Sequence, residues 1–141
     1  PEQLHIEITE TMAMTDVGAV VETIDALRDL GVSLSLDDFG TGYSSLSFLR
    51  RLPASALKID SSFVDGLGDG EDSHDHQIVT GVVGIARALG LFIVAEGVET
   101  REQAQYLQRH GVHLLQGYLF SPPMPLADFP QWLAEQESRK N

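Results

Sequence analysis

Five short apolar runs, each meeting a charged or amide side chain at its end, constrain this chain more than any other feature. Leu4–Ile8 carries Glu7, Val32–Leu36 runs into Asp37, Ala56–Ile59 carries Lys58, Leu91–Ala95 runs into Glu96, and Val112–Leu115 runs into Gln116. Runs of four or five residues rich in Val, Ile and Leu read as strands, and Val32-Ser33-Leu34-Ser35-Leu36 shows a strand's strict alternation. Segments of helical periodicity separate them. The first carries Val17, Val20, Val21, Ile24, Leu27 and Leu30, with Thr15 or Asp16 as cap and Gly31 at the left-handed position past its end. A short helix is expected from about Ser44 to Leu52, stopped by Pro53. After a polar loop, Gly68–His76, a third helix bears Ile78, Val79, Val82, Val83, Ala86 and Leu89, ending at Gly90. Thr100 and Gln103 form a capping box for a fourth, ended by Gly111, and a last helix is expected over Leu126–Glu135.

Strand-then-helix repetition implies a parallel sheet with right-handed crossovers. An open doubly wound sheet brings one or two strand tips together at its switch point. Here five tips carry polar side chains. In each strand they lie on the face opposite the apolar set that faces the helices: Leu4/Ile6/Ile8, Leu34/Leu36, Leu57/Ile59 and Ile93/Ala95. That arrangement belongs to the inner wall at the top of a barrel, where such enzymes hold their chemistry. The expected architecture is therefore α/β, a partial TIM-type (β/α)8 barrel of about five parallel strands with helices outside. A complete barrel takes about 250 residues, and this chain has 141.

Composition narrows the chemistry. There are no cysteines, which excludes a disulfide scaffold and thiolate metal ligands. The net charge of −12 argues against unassisted binding to a DNA or RNA duplex or to an anionic membrane. A phosphate-ester ligand would need metal cations to supply positive charge. No apolar run reaches the ~20 residues of a membrane span, and the lack of cysteines suits a reducing compartment, so the chain is expected in the cytoplasm or on the cytoplasmic side of a membrane-anchored protein.

Asp37-Asp38, followed by the flexible Phe39-Gly40-Thr41-Gly42, repel each other with no basic neighbour in sequence. With Glu7 they make an oxygen-only donor set that suits hard cations such as Mg²⁺ or Mn²⁺, and adjacent aspartates can flank two ions. Lys58 could orient a water, stabilise charge on a phosphate, or serve as the base in a metal-assisted proton abstraction. Its structural alternative is an ion pair.

The series Glu7-Ile8-Thr9-Glu10, Asp37-Asp38-Phe39-Gly40-Thr41-Gly42-Tyr43-Ser44-Ser45-Leu46, Leu57-Lys58-Ile59-Asp60, Ala95-Glu96-Gly97-Val98-Glu99-Thr100 and Gln116-Gly117-Tyr118-Leu119-Phe120 resembles the C-terminal half of an EAL domain, the bacterial cyclic di-GMP phosphodiesterase family. The resemblance covers nearly the whole chain. It implies metal-dependent hydrolysis of cyclic di-GMP to linear pGpG within a complete domain, with Mg²⁺ or Mn²⁺, two ions, as cofactor. By this resemblance Glu7, Asp37 and Asp38 are metal ligands and Asp37 bridges the ions. Lys58 and Glu96 are catalytic, and Gln116 contacts substrate. Glu10 anchors the loop containing Gly40 and Thr41, and Asp60 and Glu99 are supporting. The loop after Asp38 is tied to homodimer contacts, and sensory or cyclase domains are expected upstream.

The family's Glu-Ala-Leu glutamate, a following asparagine ligand and a substrate arginine are not among these residues. Residues 1–141 are thus expected to be the C-terminal part of such a domain, without the N-terminal part of the barrel and inactive alone. A receptor that binds cyclic di-GMP without turnover is the alternative, disfavoured because Glu7, Asp37, Asp38, Lys58 and Glu96 are all present. Elsewhere, Ser73-His74-Asp75-His76 reads as solvated loop beside a helix N-terminus. His5 reads as a packed or supporting histidine, His110 as a helix-end residue, and Leu126, Phe129, Trp132 and Leu133 as core packing of the last helix.

Overall fold

The computed structural model describes residues 1–13, 17–40, 49–68 and 74–138. Five strands form one parallel sheet in sequential order: β1 (His5–Thr9), β2 (Ser33–Phe39), β3 (Ala56–Ile59), β4 (Phe92–Ala95) and β5 (Leu114–Leu115). The helices are α1 (Glu10–Ala13), α2 (Val17–Asp29), α3 (Ser61–Asp65), α4 (His74–Ala88), α5 (Arg101–Arg109) and α6 (Phe129–Ser138), with a 3-10 turn at Gly66–Gly68. Sequential parallel order with helical crossovers is the wall of a (β/α)8 barrel rather than a sheet with a switch point.

The alternation seen in the sequence sets which face packs. Leu36, Leu57, Ile59, Ile93 and Ala95 are fully buried against the helices, where Val79, Val83, Ala86 and Leu107 meet them in one core. Gly31, Gly90 and Gly111 all have positive φ and end helices as expected. Thr100 and Gln103 form the expected capping box on α5.

Four expectations change. Asp37 and Asp38 lie inside β2 rather than beyond it. The helix α4 begins at His74, so His74, Asp75 and His76 form its first turn, and His76 is buried beside Tyr106 (ring centroids 4.4 Å apart) instead of solvated. The unanticipated α3 is too short to show helical periodicity. Finally, α6 begins at Phe129 rather than Leu126 and has no buried residue: Phe129 is 43% and Leu133 42% exposed, and Leu126 ahead of the helix 86%, because no described residue supplies a surface to cover them. The expected caps Thr15 and Asp16 and most of the expected helix from Ser44 to Leu52 lie outside the described residues. No helix among the described residues is long and apolar enough to cross a membrane.

Ile59 is fully buried at the centre of the sheet. Ile59→Ala should lower unfolding free energy by about 2–5 kcal/mol, the range for truncating a core aliphatic, read from the urea midpoint at constant slope.

Candidate active site

The inner face gathers the polar strand tips around one ammonium. Lys58 Nζ lies 2.7 Å from Glu7 Oε2, 2.5 Å from Glu96 Oε1 and 3.5 Å from Asp37 Oδ1. Three different strand ends thus converge on a lysine that is itself only 5% exposed. Burial alone would push this ammonium down. The hydrogen bonds to Glu7 and Glu96, with the charges of Glu96 and Asp37, outweigh it and hold Lys58 above the ordinary lysine value of 10.5. It is a permanent cation at neutral pH, built to donate rather than to accept a proton.

A β-bulge places the aspartate pair. Leu36 pairs with Leu57 and Phe39 with Ile59, so β2 spends one residue more than β3 over the same length. Asp38, at φ 56, adopts the left-handed conformation that Asp tolerates better than most residues. In a regular strand consecutive side chains point to opposite faces. Asp37 therefore joins Lys58 on the inner face, and Asp38 is released from the alternation. The Asp38 backbone N–H donates to Asp37 Oδ1 at 3.0 Å.

Asp38 instead meets Asp60. Partial burial, the charges of Asp37 and Asp60, and a hydrogen bond with the Asp60 side chain raise its carboxyl above the ordinary value, against a smaller lowering by Lys58. Asp60 Oδ1 accepts from the Ser62 N–H at 3.0 Å and from the Ser62 hydroxyl, capping α3. Among the described residues, no three carboxylates or imidazoles close on one point as ready-made metal ligands. The donor chemistry nevertheless fits a hard divalent cation: every side-chain ligand on offer is a carboxylate oxygen, and Asp38 faces two further carboxylates.

Below the tips is a cavity of about 490 Å³, lined by Glu7, Lys58 and Gln116 above His5, Ser35 and Val94. Gln116 is therefore on the wall of the site. His5 is exposed in this chain and bonds the fully buried Ser35 hydroxyl at 2.9 Å. Glu99 is exposed, and its backbone N–H is held by Gln103 Oε1 at 2.8 Å. Gly40 follows the bulge at φ +101. The Glu10 side chain and Thr41 lie outside the described residues. The sequence reading missed Phe63, which abuts Gly40, and saw Gln103 only as a helix cap. The one available signal for Gln103 was its place one helical turn before Tyr106 and Leu107, on the face that packs.

The EAL domain family model matches residues 1–123. This chain belongs to the EAL domain family. It is 48% identical over 133 residues to a probable cyclic di-GMP phosphodiesterase, PdeD of Escherichia coli, covering 94% of this chain and 24% of that protein. Among solved structures it is similar to PaMucR phosphodiesterase in a c-di-GMP complex, with a TM-score of 0.85 and 48% identity, over 92% of this chain and 51% of that one. It is also similar to the manganese and cyclic di-GMP complex of Klebsiella pneumoniae BlrP1, with a TM-score of 0.75 and 41% identity over 87% of this chain and 31% of that one. The chain thus spans about a quarter of that curated relative and about half of the first solved EAL structure.

The electrostatics of Asp38 in this EAL chain give a signed expectation. Its folded-state pKa is raised, so the ionised carboxylate opposes folding above that value and the opposition disappears below the unfolded value, near 3.8. Asp38→Asn keeps the tolerance for left-handed backbone and removes the charge. In metal-chelated buffer the variant should melt higher than the parent at pH 7, with the gain vanishing as pH falls toward 4. Equal melting temperatures at pH 7 would show that Asp37 and Asp60 do not strain Asp38.

Proposed function

We propose that this chain supplies the lysine-and-carboxylate half of a divalent-cation-dependent phosphodiesterase that hydrolyses cyclic di-GMP to linear pGpG. The observation that carries this reading is Lys58 Nζ held among Glu7, Asp37 and Glu96 at the tips of parallel strands, with Asp38 and Asp60 alongside. Both solved EAL structures cited above contain cyclic di-GMP, and one contains manganese, which supports the same ligand and a hard cation here.

Glu7, Asp37 and Asp38 would hold the cations, Mg²⁺ or Mn²⁺, two in the complete site. Bound there, they would lower the pKa of a water and offset the phosphate charge. Lys58 donates hydrogen bonds to that water or to a phosphate oxygen as negative charge develops. Glu96 and Glu7 fix its direction. Water oxygen bonds to phosphorus, one ribose 3′ oxygen leaves as a hydroxyl, and a 5′ phosphate remains on the linear product. Gln116, on the cavity wall, offers its amide to the nucleotide. Glu10, Gly40, Thr41, Asp60 and Glu99 support these groups.

Other polypeptide completes the barrel on this reading. Leu114 is 56% and Phe92 43% exposed on the inner side, and α6 presents an uncovered apolar face. The chain is then the C-terminal part of its domain, and it turns over nothing alone. The same reading places homodimer contacts after Asp38, sensory or cyclase domains upstream, and the whole in the cytoplasm or on its face of a membrane protein. Proton abstraction with Lys58 as base would need a lowered lysine pKa, whereas the surrounding carboxylates raise it. A non-hydrolysing receptor would have no use for the full set of Glu7, Asp37, Asp38, Lys58 and Glu96.

In the complete domain, Asp37→Asn should abolish hydrolysis of cyclic di-GMP at saturating Mn²⁺. Lys58→Met keeps the apolar stem and removes the charge, so substrate binding persists while kcat falls by about 10²-fold or more. Chromatographic assay of pGpG formation, with this chain alone as blank, checks both. Near-normal turnover in Lys58→Met would make Lys58 only an ion-pair partner.

A further inference from the structure

The helix α3 has five residues, too few to be stable by itself, yet it touches both acidic strand tips. On the β2 side, Asp60 caps it through the Ser62 N–H. Phe63 lies so close to Gly40 that a Cβ there would come within 3.0 Å of the ring. On the β4 side, a Cβ on Gly97, the residue after Glu96, would come within 2.5 Å of Ser61 Cβ. Both glycines have positive φ, +101 and +68, so each is shaped to the α3 side chain it faces.

The link is closed by one buried amide. Gln103 is 5% exposed. Its Nε2 donates to the Val64 carbonyl of α3 at 3.1 Å, and its Oε1 accepts from the Glu99 and Thr100 N–H groups at 2.8 and 2.9 Å. Both ends of the amide are satisfied, so it ties the loop after Glu96 to α3 in one geometry. A buried polar group fastened at three points holds position better than apolar packing, which is non-directional.

We propose that α3 is the brace that fixes the Asp37–Asp38 tip relative to Glu96, with Phe63 and Gln103 as its positioning residues. Phe63 seats the chain just past the bulge, and Gln103 seats the loop after Glu96. Neither touches the reacting atoms. The proposal rests on the phosphodiesterase reading only for its kinetic consequence; its cation-binding consequence is independent of turnover.

The test uses the complete domain with Mn²⁺ alone as probe, titrated calorimetrically without substrate, alongside kcat, KM and thermal melting. Gln103→Glu keeps the acceptors for Glu99 and Thr100 but loses the donor to Val64, so it cuts the tie to α3 and leaves the cap. Phe63→Ala empties the seat of Gly40, and Phe63→Leu does so more gently should the alanine variant fail to fold. Thr100→Ala breaks the capping box without touching α3. The brace predicts Mn²⁺ affinity weakened by about 10- to 100-fold in Gln103→Glu and the Phe63 variants, the scale for losing a supporting partner of a metal site. It also predicts a fall in kcat with KM little changed. Thr100→Ala should lower the melting temperature and leave Mn²⁺ affinity alone. Unchanged Mn²⁺ affinity in folded Gln103→Glu and Phe63→Leu would overturn the brace and leave these residues purely structural. A domain that binds Mn²⁺ but does not hydrolyse cyclic di-GMP would overturn the phosphodiesterase reading while the brace is still decided by the titration. A domain that binds no Mn²⁺ would overturn both.

Discussion

The ammonium of Lys58 organises everything above the sheet. Glu7 on β1, Asp37 on β2 and Glu96 past β4 come from segments far apart in sequence, and each would repel the others if brought together alone. One buried cation converts that repulsion into convergence. Only Lys58 is buried, while the Glu7 side chain is 46% exposed, so water shares in solvating the carboxylates and limits what the ion pairs add to stability. The cluster therefore specifies geometry more than it adds stability. Most of the stability comes from the other face of the same strands, where Leu36, Leu57, Ile59 and Ile93 are sealed against the helices.

The two faces are coupled by a single extra residue. Strand alternation would send Asp38 toward the apolar layer with Leu36. The bulge and a left-handed Asp38 take it out of that layer and let Phe39 return to pair with Ile59. The left-handed backbone and the raised carboxyl are both unfavourable locally. They persist because the core beneath, the pairing of Leu36 and Phe39 with β3 on either side, and the Asp38 N–H bond to Asp37 Oδ1 over-determine the position. Local strain held in place by a well-packed frame is the usual condition of a functional site.

Much of this was legible in the sequence, for reasons that can be named. Alternation in Val32–Leu36 and polar tips on one face of every strand are local signals, and they led to the parallel sheet and to Lys58 among acids. The bulge was not legible. An extra residue exists only relative to a pairing partner, and Leu57–Ile59 is distant in sequence. The helix α3 carries too few residues for periodicity to emerge. Gln103 looked complete as a cap because its third side-chain bond, to Val64, crosses 39 positions. The first turn of α4 was hidden because His74-Asp75-His76 is polar, while His76 is buried edge-on to Tyr106. The apolar stripe of α6 was read as core, and an amphipathic helix does not say where its partner surface lies.

Lys58 is a cation fixed by carboxylates, and that state can be measured directly. The ¹³Cε and ¹⁵Nζ resonances of Lys58, followed by NMR against pH in metal-free buffer, report its protonation without reference to activity. Lys58 should hold its proton beyond the ordinary lysine value of 10.5. Titration at or below that value would contradict this, because burial would then outweigh Glu7, Glu96 and Asp37 and the cluster would lose its centre.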